Sequence, residues 1–223
     1  YTAMESQLST ALLKEYEEIV HIPMSSGLSG SCQSAWMLAR DYNDKVQVVD
    51  NQRISVTLRQ ADLDAIELKK RNKTAEEIKD ILERDTMNSS IYIMMDTLKY
   101  LKKGGRITPS AAALGTLLRI KPVLQIQGEK LDSFAKARTS SQGKTLMINA
   151  MKNDESNRFN NNIHLMVAHS HNLEAANAFR DELKDIFECN NIYISELSLS
   201  VACHIGPGAL AIACCEKMDY DNI

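Results

Sequence analysis

His21-Ile-Pro-Met-Ser-Ser-Gly-Leu-Ser-Gly-Ser31 is the stretch whose reading decides the fold. The short apolar run 19–24 ends in Ser25-Ser26-Gly27, and a helical pattern follows through Cys32, Ala35, Trp36 and Ala39. That order reads as strand, tight turn, helix. Such a turn aims backbone N–H groups and the positive end of a helix dipole at one spot, which suits an anion. Ser25, Ser26 and Ser29 add hydroxyl donors, and Gly27 and Gly30 let a ligand approach the backbone closely. A serine N-cap on an ordinary helix explains the same residues. On this stretch alone both readings stand.

Working outward, residues 4–18 carry Met4, Leu8, Leu12 and Tyr16 at near-helical spacing, a surface helix feeding the strand. After the turn a helix is expected from Ser29 to Tyr42, then a valine-rich strand over 45–50 (KVQVVD). Two strands joined by a helical crossover make a βαβ unit, which implies a parallel sheet covered by helices. A helix over 54–71 and a second one opening on Thr74-Ala75-Glu76-Glu77, with the outline of a capping box, complete the first region near residue 88.

The second region starts with the strand 91–95 (IYIMM). Asp96-Thr97 opens a helix with Lys102-Lys103 in its last turn and Gly104-Gly105 at its end. An alanine-rich helix over 110–118, a hairpin over 122–135 and a helix over 139–152 follow. The asparagine-rich segment 153–162 reads as a loop. A strand over 164–169, an amphipathic helix over 172–188 and a strand over 192–197 lead to a loop over 203–208. The apolar run 209–215 fits a strand or a helix equally well. The expected architecture is α/β in two domains, 1–87 and 88–223, with parallel or mixed sheets flanked by helices.

With 223 residues, 44% hydrophobic and 25% charged, the chain has an ordinary globular composition and enough length to bury a core. A formal net charge of −3 gives no electrostatic case for nucleic acid. No apolar run reaches the ~20 residues of a membrane span. No signal-peptide pattern is visible at residue 1. The five cysteines, two of them adjacent and none in CxxC spacing, suggest reduced thiols and a cytoplasmic setting rather than disulfides or zinc.

Two segments, MSSGLSGS at 24–31 and DTLKYLKKGGRI at 96–107, resemble the signatures of the DegV family, the bacterial fatty-acid-binding proteins. Lys121-Pro-Val-Leu, Lys136-Ala-Arg138 and His204-Ile-Gly-Pro-Gly-Ala209 agree in order and spacing, so the resemblance spans 18–215. It implies a two-domain fold with a long-chain fatty acid such as palmitate, stearate or oleate held between the domains. It implies no cofactor and no catalysis by the chain itself, which would present the acyl chain to a fatty-acid kinase partner for acyl-phosphate formation. Carried onto this chain, the head-group contacts are Thr2, Ser25, Ser26, Gly27, His204 and Gly206, and Arg138 lies where a kinase docks. Family members usually carry some additional residues in front, including a first strand. The expectation is that this chain lacks that strand, with Tyr1-Thr2-Ala3-Met4 as a poor version of a segment just downstream of it.

The chemistry agrees with that picture. A carboxylate in an apolar cavity must be met by several donors, and hydroxyls and N–H groups do so without a permanent ion pair. His204 donates in either protonation state. Each buried methylene of a tail contributes ~0.8 kcal/mol, and Leu114, Leu117, Leu118 and Ile120, with Val123, are candidate lining residues. Three rivals remain. A serine esterase or thioesterase would use Ser25 or Ser26 with His204, although Gly27-Leu28-Ser29-Gly30-Ser31 does not make G-x-S-x-G. A module for a phosphorylated or carboxylated metabolite would share the anion site without the tunnel. His169-Ser170-His171 offers two imidazoles but no third metal ligand.

Overall fold

The computed structural model describes residues 2–114 and 120–223. The chain forms two compact units. Unit 1 comprises Tyr1–Ile54, Leu58–Met87 and Met218–Ile223, and unit 2 comprises Ser55–Thr57 and Asn88–Lys217. The last six residues thus belong with the first unit, not with the second as a single boundary would have it.

Unit 1 runs α1 (Thr2–Leu12), β1 (Ile19–His21), α2 (Ser31–Ala39), β2 (Val46–Val48), α3 (Ser55–Lys70) and α4 (Ala75–Arg84). The strands β1 and β2 pair in parallel, Ile19 opposite Val46 and His21 opposite Val48, as the βαβ reading requires. The helix before β1 stops at Leu12 rather than continuing through Tyr16. Helix α4 opens on a complete capping box. The Thr74 hydroxyl accepts from the Glu77 N–H, and the Glu77 carboxylate accepts from the Thr74 N–H. Its buried face, Ile78, Ile81 and Leu82, packs with Val49, Ala61 and Leu68.

This core also holds a charge. Arg53 is 1% exposed and pairs with Asp85 and, at 3.9 Å, with Asp64. Asp64 accepts from Gln60 Nε2 at 2.8 Å and from the Tyr220 hydroxyl at 2.7 Å. That contact, with the Arg71–Asp221 ion pair, holds the C-terminal residues to α3. Burial together with the Asp64 carboxylate keeps the Tyr220 phenol protonated to higher pH than usual.

Unit 2 continues with β3 (Ser89–Met94), α5 (Lys99–Gly104), α6 (Pro109–Leu114), β4 (Lys121–Ile126), β5 (Leu131–Ala137), α7 (Ser140–Asn157), β6 (Ile163–His169), α8 (Leu173–Ile186), β7 (Tyr193–Glu196), α9 (Leu199–Ile205) and β8 (Leu210–Glu216). Its sheet has the order β5-β4-β3-β8-β6-β7. Only β6 and β7 pair in parallel; the other neighbours are antiparallel. The apolar run that fitted either element is therefore a strand, β8, set between β3 and β6. A strand covered on both faces loses its alternation and reads as a continuous apolar run.

Two segments that the sequence reads as loops are helical in their first half. Helix α7 extends to Asn157 because Asp154 in its last turn is buried, accepting from the Tyr92 hydroxyl at 2.7 Å and pairing with Arg158 at 3.2 Å. Gln127 Nε2 donates to the Tyr92 oxygen at 3.0 Å and to Ser90 Oγ at 3.2 Å, closing the network. A tertiary contact thus holds a polar turn that local propensity left open. The segment 203–208 is likewise helical up to Ile205. Removing the acceptor from a buried pair leaves its donors without compensation. Asp154→Ala is expected to lower the unfolding free energy by about 3 kcal/mol in urea titration, with Tyr92→Phe milder.

Candidate functional site

The serine turn follows β1 in unit 1 and is held from within. Ser25 is fully buried. Its N–H donates to the Arg53 carbonyl at 3.0 Å, its carbonyl accepts from Leu28 and Ser29, and its Oγ accepts from the Gly27 N–H at 3.3 Å. Ser29 Oγ accepts from the Ser31 N–H at 3.2 Å. The Ser26 N–H donates to Asp50 Oδ1 at 3.2 Å. Here the structure corrects the sequence reading. The N–H groups of Gly27, Leu28, Ser29 and Ser31 find acceptors inside the turn and that of Ser26 finds Asp50, so they are not an open anion cradle. Helix α2 starts at Ser31, a little later than expected, with Gly30 as its N-cap and no side-chain cap.

What the turn presents outward is the Ser26 hydroxyl, exposed and without a hydrogen-bond partner among the described residues. Beside it stands the carboxylate of Asp50, whose own N–H donates to Glu83 Oε1 at 3.0 Å. These two carboxylates and, above all, burial push the Cys32 thiol up to about 12. Asp50 and Arg53 are the residues of this turn that sequence reasoning missed as positioning groups. The local pattern carries no sign of either, since the turn residues that they hold lie more than twenty residues away. Thr2 opens α1. The apolar clefts within unit 1, about 260 and 500 Å3, are not lined by Ser25 or Ser26.

In unit 2 three of the signature segments meet. His204 stands in the last turn of α9, and its imidazole lies against Gly104 of α5, where an added Cβ would come within 2.5 Å of Nδ1. Gly206 caps α9 with φ +84°, and the Tyr100 ring of α5 covers it so closely that a Cβ would meet ring carbon at 2.6 Å. Asp96, which lies near Gly208, forms an ion pair with Lys121 at the start of β4. DTLKYLKKGG, Lys121-Pro and His-Ile-Gly-Pro-Gly are therefore one packed assembly, not separate sites. Gly105 ends α5 in the left-handed region with φ +68°, the C-terminus the sequence predicts. The His204 ring, half-buried, makes no hydrogen bond among the described residues.

Arg138 is exposed just beyond β5, and its N–H donates to Gln142 Oε1 at 2.8 Å. Of the tail candidates, Leu114 closes α6, Ile120 is half-buried ahead of β4, and Leu117 and Leu118 lie outside the described residues. Among the described residues no group of three His, Cys, Asp or Glu side chains is arranged to hold a metal, and no helix is long and apolar enough to cross a membrane.

Comparison with known proteins places this geometry in a family. The family model described as "Uncharacterised protein, DegV family" matches residues 2–217, and the chain belongs to that family. A DegV domain-containing protein of Streptomyces coelicolor is 31% identical over 196 residues, covering 87% of this chain and 68% of the relative. A Thermus thermophilus structure described as fatty acid binding of a DegV family protein superposes with a TM-score of 0.88 at 28% identity, covering 97% of this chain and 77% of the other. DegV of Bacillus subtilis, described as a fatty acid binding protein, matches with a TM-score of 0.84 at 28% identity and the same coverage.

The thiols test the local electrostatics. Iodoacetamide at mildly alkaline pH is expected to label exposed Cys203 and to spare buried Cys32 and Cys214 in mass-spectrometric mapping. The raised folded value of Cys32 means that its contribution to stability is present below the unfolded thiol value and lost as pH rises. The stability difference between the natural protein and Cys32→Ala should accordingly shrink from about pH 9 towards 12.

Proposed function

We propose that this chain binds a long-chain fatty acid and carries it as a non-catalytic, cytoplasmic protein that presents the acyl carboxylate to a fatty-acid kinase. The observation that carries the reading is the 28% identity, at a TM-score of 0.88, to a Thermus thermophilus protein described as fatty acid binding. Local geometry supports it. The Ser26 hydroxyl and the His204 imidazole are donors left without protein partners among the described residues, each on a signature turn.

In this reading Ser26 donates to the carboxylate while Ser25 and Gly27 keep the turn in shape. His204 is the other assigned head-group donor, and Gly206 lets the backbone of its own turn close behind the imidazole. Thr2 is assigned a lesser head-group role. The tail, palmitate, stearate or oleate, takes its affinity from apolar burial at ~0.8 kcal/mol per methylene, with Leu114, Leu117, Leu118 and Ile120 as the assigned walls. Hydroxyl and imidazole donors hold the carboxylate without a cation to neutralise it, so its oxygens stay nucleophilic towards a phosphoryl donor on the partner. Arg138, a guanidinium with no hydrogen bond or ion pair among the described residues, is assigned to the partner's docking surface. Nothing favours the esterase. Ser25 is sealed inside its turn, and five residues separate it from the start of α2, so neither serine makes a strand-to-helix nucleophile elbow.

Removing one hydrogen bond to a charged group costs about 1.5–3 kcal/mol. Ser26→Ala and His204→Ala are each expected to weaken palmitate binding about ten- to a hundredfold by calorimetry, with melting temperatures close to the natural protein's. Unchanged affinity in both would overturn the head-group assignment. With ATP alone the protein should form no acyl phosphate; acyl phosphate should appear only on adding a fatty-acid kinase.

A further inference from the structure

The imidazole pair His169-Ser170-His171 has no part in the fatty-acid reading, yet it borders a cleft of about 550 Å3 within unit 2. His169 and Glu196 are register partners at the carboxyl ends of the parallel strands β6 and β7. Paired residues of neighbouring strands leave the same face of a sheet, here the face crossed by α8. His171, Asn172, Asn177 and Arg180 complete the polar wall. Open α/β sheets bind ligands outside the carboxyl ends of parallel strands, against the start of the crossover helix.

We propose that this cleft is a binding site for a small phosphate monoester, with His169 Nε2–H as its central donor. His169 is 3% exposed, and its Nδ1 accepts the Asn172 N–H at 3.3 Å. An accepting ring nitrogen carries no hydrogen, so in the neutral ring the hydrogen is on Nε2. Among the described residues Nε2–H has no acceptor. His169 lines the cleft, so an oxygen of a ligand bound there can accept from it.

Two further features point the same way. Asn172 occupies the N-cap of the 14-residue helix α8 without capping it, because its Nδ2 donates instead to the Gly208 carbonyl at 3.0 Å. The first-turn N–H groups therefore receive no side-chain acceptor, and they favour an anion. Arg180, half-buried, engages Asp181 through Nε and Nη2 at 3.0 Å, which leaves Nη1 for a phosphate oxygen. The one carboxylate lining the cleft is Glu196, held at 3.3 Å by the His171 N–H. As the register partner of His169 it stands on the same face of the sheet and calls for a hydroxyl or ammonium on the ligand beside the phosphate, hence a monoester of a small polar alcohol rather than a bare acid.

Inorganic phosphate is the probe, followed by calorimetry and by the imidazole 15N resonances of His169 and His171. The proposal expects saturable binding in the millimolar range or tighter, displacement of the His169 Nε2 resonance, and weaker binding of acetate. His169→Gln and Arg180→Gln should each reduce phosphate affinity about tenfold while palmitate binding stays unchanged, so the site stands or falls independently of the fatty-acid reading. Arg180→Gln leaves the buried ring untouched and keeps the test open if His169→Gln lowers the melting temperature. No saturable binding, equal affinity in Arg180→Gln, or acetate binding as well as phosphate would overturn it.

Discussion

The reciprocal packing of α5 against the end of α9 is the constraint on which the rest of unit 2 depends. His204 from α9 sits on Gly104 of α5, and Tyr100 from α5 sits on Gly206 at the end of α9. Each helix supplies a ring and a glycine that admits the other's ring. A methyl group at either glycine would lie 2.5–2.6 Å from ring atoms, closer than packed atoms come. The contact orients the imidazole by packing its Nδ1 side on Gly104, with no hydrogen bond to either nitrogen among the described residues. Asp96, close against Gly208 and paired with Lys121, extends the same contact to β4.

Unit 1 solves a different problem. Its turn between β1 and α2 must hold five N–H groups and a serine core in a short span, and it does so with its own hydroxyls, the Ser25 carbonyl and the Asp50 carboxylate. The Ser25 N–H reaches the Arg53 carbonyl, while the Arg53 guanidinium is anchored by Asp85 and Asp64, and Asp64 by Tyr220. A chain of polar contacts thus runs from the C-terminal residues to the serine turn. Such buried charges contribute specificity of arrangement only while every partner is present.

Most of the fold is legible in the sequence where elements obey one local rule. The βαβ start, the capping box at Thr74, the left-handed Gly105 and the hairpin β4–β5 each follow from spacing or turn chemistry. Legibility fails where a distant partner decides. The turn at 153–157 is helical because Tyr92 claims Asp154. The run 210–215 is a strand because β3 and β6 flank it. Cys203 and His204 are helical because α9 has α5 to pack on. At the candidate site, the serines and His204 stand out by type and motif. The role of Asp50 does not, and neither does the taking-up of the turn's other N–H groups by its own hydroxyls and the Ser25 carbonyl. The cleft beside His169 is also hidden from sequence, because it depends on a side-chain hydrogen bond that settles which ring nitrogen donates.

The central claim is that the chain holds a long-chain fatty acid, and native mass spectrometry of the purified protein tests it most directly. The account predicts a complex heavier than the polypeptide by one free fatty acid of about 16–18 carbons, a length at which methylene burial supplies most of the affinity. That mass should be lost on denaturation and recovered as free acid in the organic extract. A bare polypeptide mass that persists after incubation with palmitate and oleate would contradict it.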